Sequence, residues 1–463
     1  MILAAMRRSL PDNPLPYLCA GLAIAGAAGS AALAPTVFWL LLTGTVTAGI
    51  VFLAFRHTTT LCVIWLLITG ATIEMALSDL VDPSAFQPTI AALKASQIAL
   101  AAICAVRWGP RLDPFNPAWG FGFMTISGLV GGLHPGLAPI DSLRSMLGSI
   151  APYAFCFVRP PLAWANAILC AVRWAPIVAV AAGIAVSLTG LRPLFVDSGG
   201  ARLSGLGHPA FLAGVCLAGI YAGLIEAYRH GRRGDLAMLG ANLVILLLTG
   251  ARAPLAYAAV VILLSLIFVR SSVMPARFRL LVVLAVGAFV PTLVVLAGEF
   301  AFIRVFNVLS ENPTHLSGRE YLWPIFERVA AGAPWFGWGI GAGNVIIPPD
   351  SEIAQILQTW AAHNEYLRIQ VEGGYVGRAI LVGLFALWAW RRTVHLRQSD
   401  RVIMRLVFVA FAAHAVTDNV LISTPSCVLF TFAAAVFARG EREAQADRAK
   451  GFPVCLERKA TMA

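Results

Sequence analysis

Runs of roughly 15 to 20 apolar residues, separated by short polar connections, recur from Pro16 almost to the end of the chain, the length an α-helix needs to cross a bilayer. A segment inside hydrocarbon must bond every backbone N–H and C=O within itself, so repeated runs of this length select helices. The composition agrees: 59% of residues are hydrophobic and 12% charged, against a charged share of about 25% in soluble proteins. The expected fold is an all-α polytopic integral membrane protein with about 12–14 transmembrane helices. Residues 133–174 are the stretch hardest to divide into spans.

The formal net charge of +11 would suggest nucleic acid as a partner in a soluble chain. Here the arginines fall mainly in short loops, at residues 107–111, 229–233, 270–279 and 391–401. With the N-terminus in the cytoplasm and an even number of spans, all four loops land on the cytoplasmic side, as the positive-inside rule requires. Both termini are therefore expected in the cytoplasm of a multi-pass inner-membrane protein, with 439–463 as a polar tail. Arg7 and Arg8 precede a run of span length that is followed by more spans, which argues against a cleaved leader. Most of the eight cysteines lie in or beside apolar segments, and there is no C-x-x-C pair, so neither a disulfide framework nor a thiolate metal site is indicated.

One connection on the outer side is long. The chain divides into a helix bundle over 1–298, a periplasmic loop over 299–374, further spans over 375–438 and the tail. The loop carries twice as many acids as bases, so Arg304, Arg319, Arg328 and Arg368 need a reason other than topology. "SGREYLW" fits a capping box from Ser317 to Glu320, with Pro324 expected to kink or restart the helix. In "GAPWFGWGIGAGN", glycines at 337, 339, 341 and 343 suit close backbone approach to a ligand. Asp350 or Ser351 can cap a helix through "EIAQILQTWA", and Asn364 can cap the helix that enters the next span. The loop should therefore fold as short helices lying over the membrane.

The polar residues of "AAHNEYLRIQVEGGYVG" sit at the mouth of that span, where an unpaired charge is expensive. His363 is the candidate proton acceptor because an imidazole titrates near neutrality. Glu365 and Glu372 are alternative bases, Asn364 a supporting residue. Arg252 in "LLLTGARAP" and Arg319 in "LSGRE" are placed at the outer side, and a guanidinium fork suits phosphate oxygens. Arg202 and His208, in "RLSGLGHPAFLA", are either further ligands or interfacial anchors. Glu74 and Lys94 fall inside apolar runs, where mutual pairing is expected. No outer-side H-x-x-x-H or D-x-D spacing suggests a metal.

Four pieces in order, "RLSGLGHPAFLA", "LLLTGARAP", "SGREYLW" with "PWFGWGIGAGN", and "HNEYLRIQVEGGYVG", resemble the O-antigen ligase and O-antigen polymerase superfamily, which includes exopolysaccharide polymerases. The resemblance covers the second half of the chain; the first half is similar only as a bundle of spans. It implies a metal-independent, inverting glycosyltransferase of the C type without a cofactor. Such an enzyme moves a glycan from undecaprenyl diphosphate to an acceptor hydroxyl at the periplasmic face, either a growing glycan or lipid A–core. The implied partners are the lipid-linked donor, the acceptor, membrane lipid and other polysaccharide-assembly proteins, with no nucleic acid. Carried over, Arg252 and Arg319 bind the diphosphate, joined by Arg202, and His363 is catalytic. "TGAR" departs from the serine that many members place directly before the arginine, which puts one local hydrogen bond in question.

Two rival functions remain at this point. A lipid-linked glycan flippase would need polar groups along a path open to both sides, whereas here they concentrate on one face. A non-catalytic assembly subunit would have no reason to gather Arg252, Arg319 and His363.

Overall fold

The computed structural model describes residues 55–74, 83–197, 200–269, 275–277, 279–281, 283–284, 319–357, 359 and 361–449, with only the backbone of 83–89, 319 and 320. The expected spans before residue 55 and around 285–298, the capping serine Ser317 and the end of the tail lie outside these residues.

The protein is an all-α polytopic membrane protein. Among the described residues four segments are long and apolar enough to cross a bilayer: Ile90–Trp108, Leu162–Leu188, Pro209–His230 and Glu365–Thr393. In chain order the helices are α1 (Thr58–Gly70), α2 (Pro83–Trp108), α3 (Ala118–Gly131), α4 (Pro139–Ile150), α5 (Leu162–Leu188), α6 (Pro209–His230), α7 (Arg233–Leu248) and α8 (Arg252–Phe268). They continue with α9 (Arg319–Gly332), α10 (Glu352–Leu357), α11 (Glu365–Thr393), α12 (Gln398–His414) and α13 (Thr424–Ala449). The stretch that resists division by hydropathy contains α4, which runs directly into a 3₁₀ segment, Ala151–Phe157. At twelve residues, and carrying Asp141 and Arg144, α4 is too short and too polar to register as a separate span in a window of about 19 residues. A two-stranded hairpin, β1 (Phe195–Asp197) and β2 (Ala201–Leu203), joins α5 to α6 and pairs Val196 with Arg202.

The core is built on α5, α6 and α13, with aromatic side chains at its centre. Trp388, Phe430 and Phe437 are fully buried, and Trp388 packs on Phe430 and Phe437 with ring centroids 6.0 and 5.4 Å apart. Among lipid tails there is little hydrophobic drive between helices, so this close packing supplies much of the cohesion. One end of the bundle is tied by ion pairs. Arg229 meets Asp400 and, at 2.6 Å, Glu443; Arg439 meets Glu226; and Arg392 meets Glu441 at 2.5 Å. These pairs clamp α6, α11, α12 and α13 together.

At the other end α11 is broken. Gly374 has φ 61° and ψ −165°, a conformation essentially restricted to glycine. Amides 375 and 376 leave the helical ladder and donate to the carbonyls of Pro334 and Trp335, at 2.8 and 3.0 Å. The carbonyls of Val371 and Glu372, released by the same break, accept from the amides of Trp338 and Gly339 at 2.8 and 3.0 Å. The segment after α9 thus satisfies the polar groups that a helix break would leave bare in an apolar setting. A Cβ at Gly337 would stand 2.5 Å from the backbone of Glu372. The close approach permitted by this glycine is to α11 itself, which differs from the ligand contact expected of the stretch.

The break also reorients the start of α11. The amide of Glu365 bonds the carbonyl of Ala415 at 2.8 Å, while Trp390 stacks under Arg405. The segment 365–390 of α11 is therefore matched only by 405–415 of α12. Residues 365–373 must cross the end of α12, and the leg beyond Gly374 runs along it.

Above this leg lies a small second core formed by Leu322, Phe326, Ala330, Ala342, Ile347, Ala354, Ala362 and Val371. Within 319–357 the chain forms the short helices α9 and α10, and α9 continues through Pro324 instead of restarting there. Ser351 caps α10, its Oγ accepting from the amide of Ala354 at 3.4 Å.

Candidate functional site

The first turns of α6, α8 and α11 and the last turn of α12 meet at the same end of the bundle, opposite the ion-paired end. Asn364 caps α11, its Oδ1 accepting from the amide of Leu367 at 3.1 Å. His208 caps α6 in the same way, its Nδ1 accepting from the amide of Ala210 at 3.2 Å. His363, immediately before the α11 cap, has φ 47°. A left-handed backbone is uncommon in a residue with a side chain, although His tolerates it better than most, and such outliers cluster at functional sites.

The imidazole of His363 is bracketed. Nδ1 is 3.1 Å from Asp418 Oδ1, and Nε2 is 2.9 Å from Thr359 Oγ1. A carboxylate only accepts, so the proton belongs on Nδ1 and Nε2 keeps its lone pair, accepting from the threonine hydroxyl. Asp418 is held by the amide of Asn419 at 2.8 Å and faces His414, with Nε2 of that ring 3.8 Å from its second oxygen. Burial pushes the Asp418 carboxyl up; the hydrogen bonds from His363 and from the Asn419 amide outweigh that effect and hold it below the ordinary carboxylate range.

The turn that carries Asp418, between α12 and α13, is fixed from three sides. Its start is bonded by the amide of Glu365, as above. The amide of Leu421 donates to Glu365 Oε1 at 2.7 Å, and Lys94 Nζ donates to the carbonyl of Ile422 at 2.7 Å. Lys94 therefore spends its charge on this turn, and no ion pair joins it to Glu74, unlike the pairing expected of the two; the Glu74 carboxylate is buried without a hydrogen bond among the described residues.

Glu365 and Glu372 do not face the open site. Arg368 lies between them, its Nε 2.6 Å from Glu365 and its Nη1 2.6 Å from Glu372, and all three side chains are at most 4% exposed. The i, i+3 and i+4 spacing places the three on one helix face as a buried triad. Either carboxylate could accept a proton only by giving up part of this pairing, which makes both poorer bases than the half-exposed His363.

His363, His208 and Asp418 line the more exposed side of a cavity of about 340 Å³ whose other walls include the buried His414 with Phe211, Leu217, Tyr221, Tyr257 and Leu429. A polar mouth over an apolar body suits an amphipathic ligand. Arg202 donates from Nε to the carbonyl of Thr249 at 2.9 Å, tying the hairpin to the turn that ends in Arg252. Arg252 opens α8, is exposed and forms no ion pair among the described residues. Arg319 opens α9; one turn on, Trp323 donates from Nε1 to the carbonyl of Ala362 at 2.8 Å, bringing the start of that helix beside His363. The structure thus gathers His363, His208 and Asp418 around one cavity, places Arg252 and Arg202 at the adjoining turn, and sets Glu365 and Glu372 behind it. Among the described residues no group of three His, Cys, Asp or Glu side chains is arranged to hold a metal.

Asp418, His414 and Thr359 are absent from the sequence-based candidates. The polar interruption "HAVTDN" between two apolar runs, with His and Asp four apart, was the available signal for the first two. Thr359 carries no signal of its own.

No curated protein shows a significant match to the chain. Residues 236–382, which take in most of α7, all of α8 to α10 and the first part of α11 with Arg252, Arg319 and His363, match the family model described as O-Antigen ligase, which supports the resemblance to the O-antigen ligase and polymerase superfamily over that part of the chain.

Proposed function

We propose that the protein transfers a glycan from undecaprenyl diphosphate to a sugar hydroxyl at the periplasmic face, as a polymerase of O-antigen or exopolysaccharide repeat units or as a ligase onto lipid A–core. The observation that carries this reading is the Asp418–His363 hydrogen bond at the polar mouth of an otherwise apolar cavity. It gives a base with an assigned proton and an assigned lone pair. The positive loops gathered at the ion-paired end support a periplasmic setting for the opposite end.

In the proposed reaction the polyprenyl tail lies along the apolar wall, and the diphosphate is gripped by Arg252 and Arg319. The acceptor hydroxyl takes the place of the Thr359 hydroxyl on His363 Nε2. As Nε2 takes the proton, the acceptor oxygen forms its bond to the anomeric carbon from the face opposite the leaving group. The bond from that carbon to the diphosphate oxygen breaks, and the electron pair leaves with the diphosphate, giving inversion. The imidazolium so formed is stabilised by Asp418. Guanidinium donors offset the negative charge that grows on the leaving group, so neither a divalent cation nor a general acid is needed.

The test is His363→Ala in the purified full chain with a lipid-linked repeat unit. Expected are loss of glycan transfer and retention of membrane insertion and donor binding. Transfer at the parental rate would remove His363 as the base. Products resolved as ladders or as lipid A conjugates decide between polymerase and ligase.

A further inference from the structure

A second cavity, of about 390 Å³, lies between α11 and α12 and is lined from Tyr366 to Trp390 along one helix and from Arg405 to Ala415 along the other. Its walls are almost entirely apolar. Val382, Trp390 and Val409, which are 43%, 59% and 68% exposed, leave it open on the flank of the pair. Because α11 is long and apolar enough to cross a membrane, an apolar groove on its flank faces acyl chains instead of water. Among the described residues only Phe411 lines both this groove and the cavity beside His363.

The end remote from His363 is marked by Arg405. Its guanidinium lies 3.9 Å over the ring centroid of Trp390, and its Nε donates to Thr393 Oγ1 at 3.1 Å. Those contacts hold the group in place while committing only one of its nitrogens. Arg111, Arg229, Arg392 and Arg439 at the same end each meet a carboxylate. Arg405 meets none among the described residues, and the charge acting on it is a second cation, Arg401, one turn away. A guanidinium held in position at a membrane boundary, without a protein anion, is complementary to a phosphate diester.

We propose that this groove binds one anionic phospholipid, with an acyl chain between α11 and α12 and the phosphate on Arg405. The occupant is distinct from the glycan donor, whose diphosphate belongs to the opposite end of the bundle. The inner end of the groove touches Glu365, Ala415 and Leu421, the residues that anchor the turn carrying Asp418. A bound chain therefore packs against the support of the site without entering it.

The experiment is native mass spectrometry of the delipidated full chain, titrated separately with phosphatidylglycerol and phosphatidylcholine of the same chain composition. One tight phosphatidylglycerol adduct is expected, with phosphatidylcholine weaker by about tenfold, because its choline cation cancels the net negative charge that Arg405 and Arg401 attract although the phosphate oxygens are the same. Arg405→Gln should bring phosphatidylglycerol down to the phosphatidylcholine level, and Ala386→Trp, which fills the groove from its exposed side, should abolish the tight adduct. Equal affinity of the parent for the two lipids would overturn the proposal, as would parental phosphatidylglycerol binding by both variants. Neither result depends on glycan transfer, so the lipid site and the proposed reaction fail separately.

Discussion

Replacing Asp418 by Asn isolates what the carboxylate contributes to His363. The side-chain oxygen that accepts from Nδ1 remains, so ring position and tautomer are largely kept and the negative charge is lost. A hydrogen bond to a charged partner contributes about 1.5 to 3 kcal/mol, and the lower half of that range applies because the two side chains are 28% and 37% exposed. A loss of about 1.5 to 2 kcal/mol in the step that forms the imidazolium slows turnover by roughly 10- to 30-fold. Donor affinity should change little, because the turn is anchored through Glu365 and Lys94 independently of Asp418. The assay is the initial rate of glycan formation by purified protein across a range of donor concentrations. Expected are a reduced kcat and a parental KM for Asp418→Asn, with a larger fall in kcat for Asp418→Ala, which also frees the ring to rotate. A kcat within twofold of the parent for both variants would show that the His363–Asp418 contact has no part in proton transfer.

Arg252→Lys and Arg319→Lys keep the charge but lose the planar fork, so each should slow transfer roughly 10- to 150-fold at normal expression, while Arg328→Lys, at an exposed position of α9, should be near silent. Near-parental turnover in both of the first two, measured as product per unit of membrane protein, would remove the diphosphate clamp. Turnover is expected to survive a chelator; a loss that Mg²⁺ or Mn²⁺ restores would show the arginine scheme to be incomplete. Gly374→Ala should destabilise the protein by about 3 kcal/mol or more, since the added Cβ would meet the Trp335 carbonyl carbon at 2.3 Å with φ at 61°. Gly383→Ala, further along the same helix with open space around it, should stabilise by about 0.5 to 1 kcal/mol; thermal unfolding of the two variants side by side checks the pair.

How much of this was legible in the sequence depends on how far apart the interacting residues lie along the chain. The helical membrane class follows from run lengths alone, and the caps at Asn364 and Ser351 involve residues within one turn of each other. The break in α11 could not be read in this way, because the amides that repair it come from the segment around Trp338 and nothing in the local pattern links the two. Alternating glycines there suit any close approach; only the fold says that the approaching partner is a helix. The same division runs through the charges of "HNEYLRIQVEGG". Glu365, Arg368 and Glu372 pair with one another at helical spacing, which lowers the cost of burying them inside a span. His363 has no such partner on its own helix. Its acid, Asp418, arrives from beyond the next helix, on a turn that Glu365 and Lys94 hold in register. A polar side chain whose partner is supplied from so far away must be reached by folding and not by local helix formation, and this residue, not the buried ion-paired triad, is the one left facing the cavity.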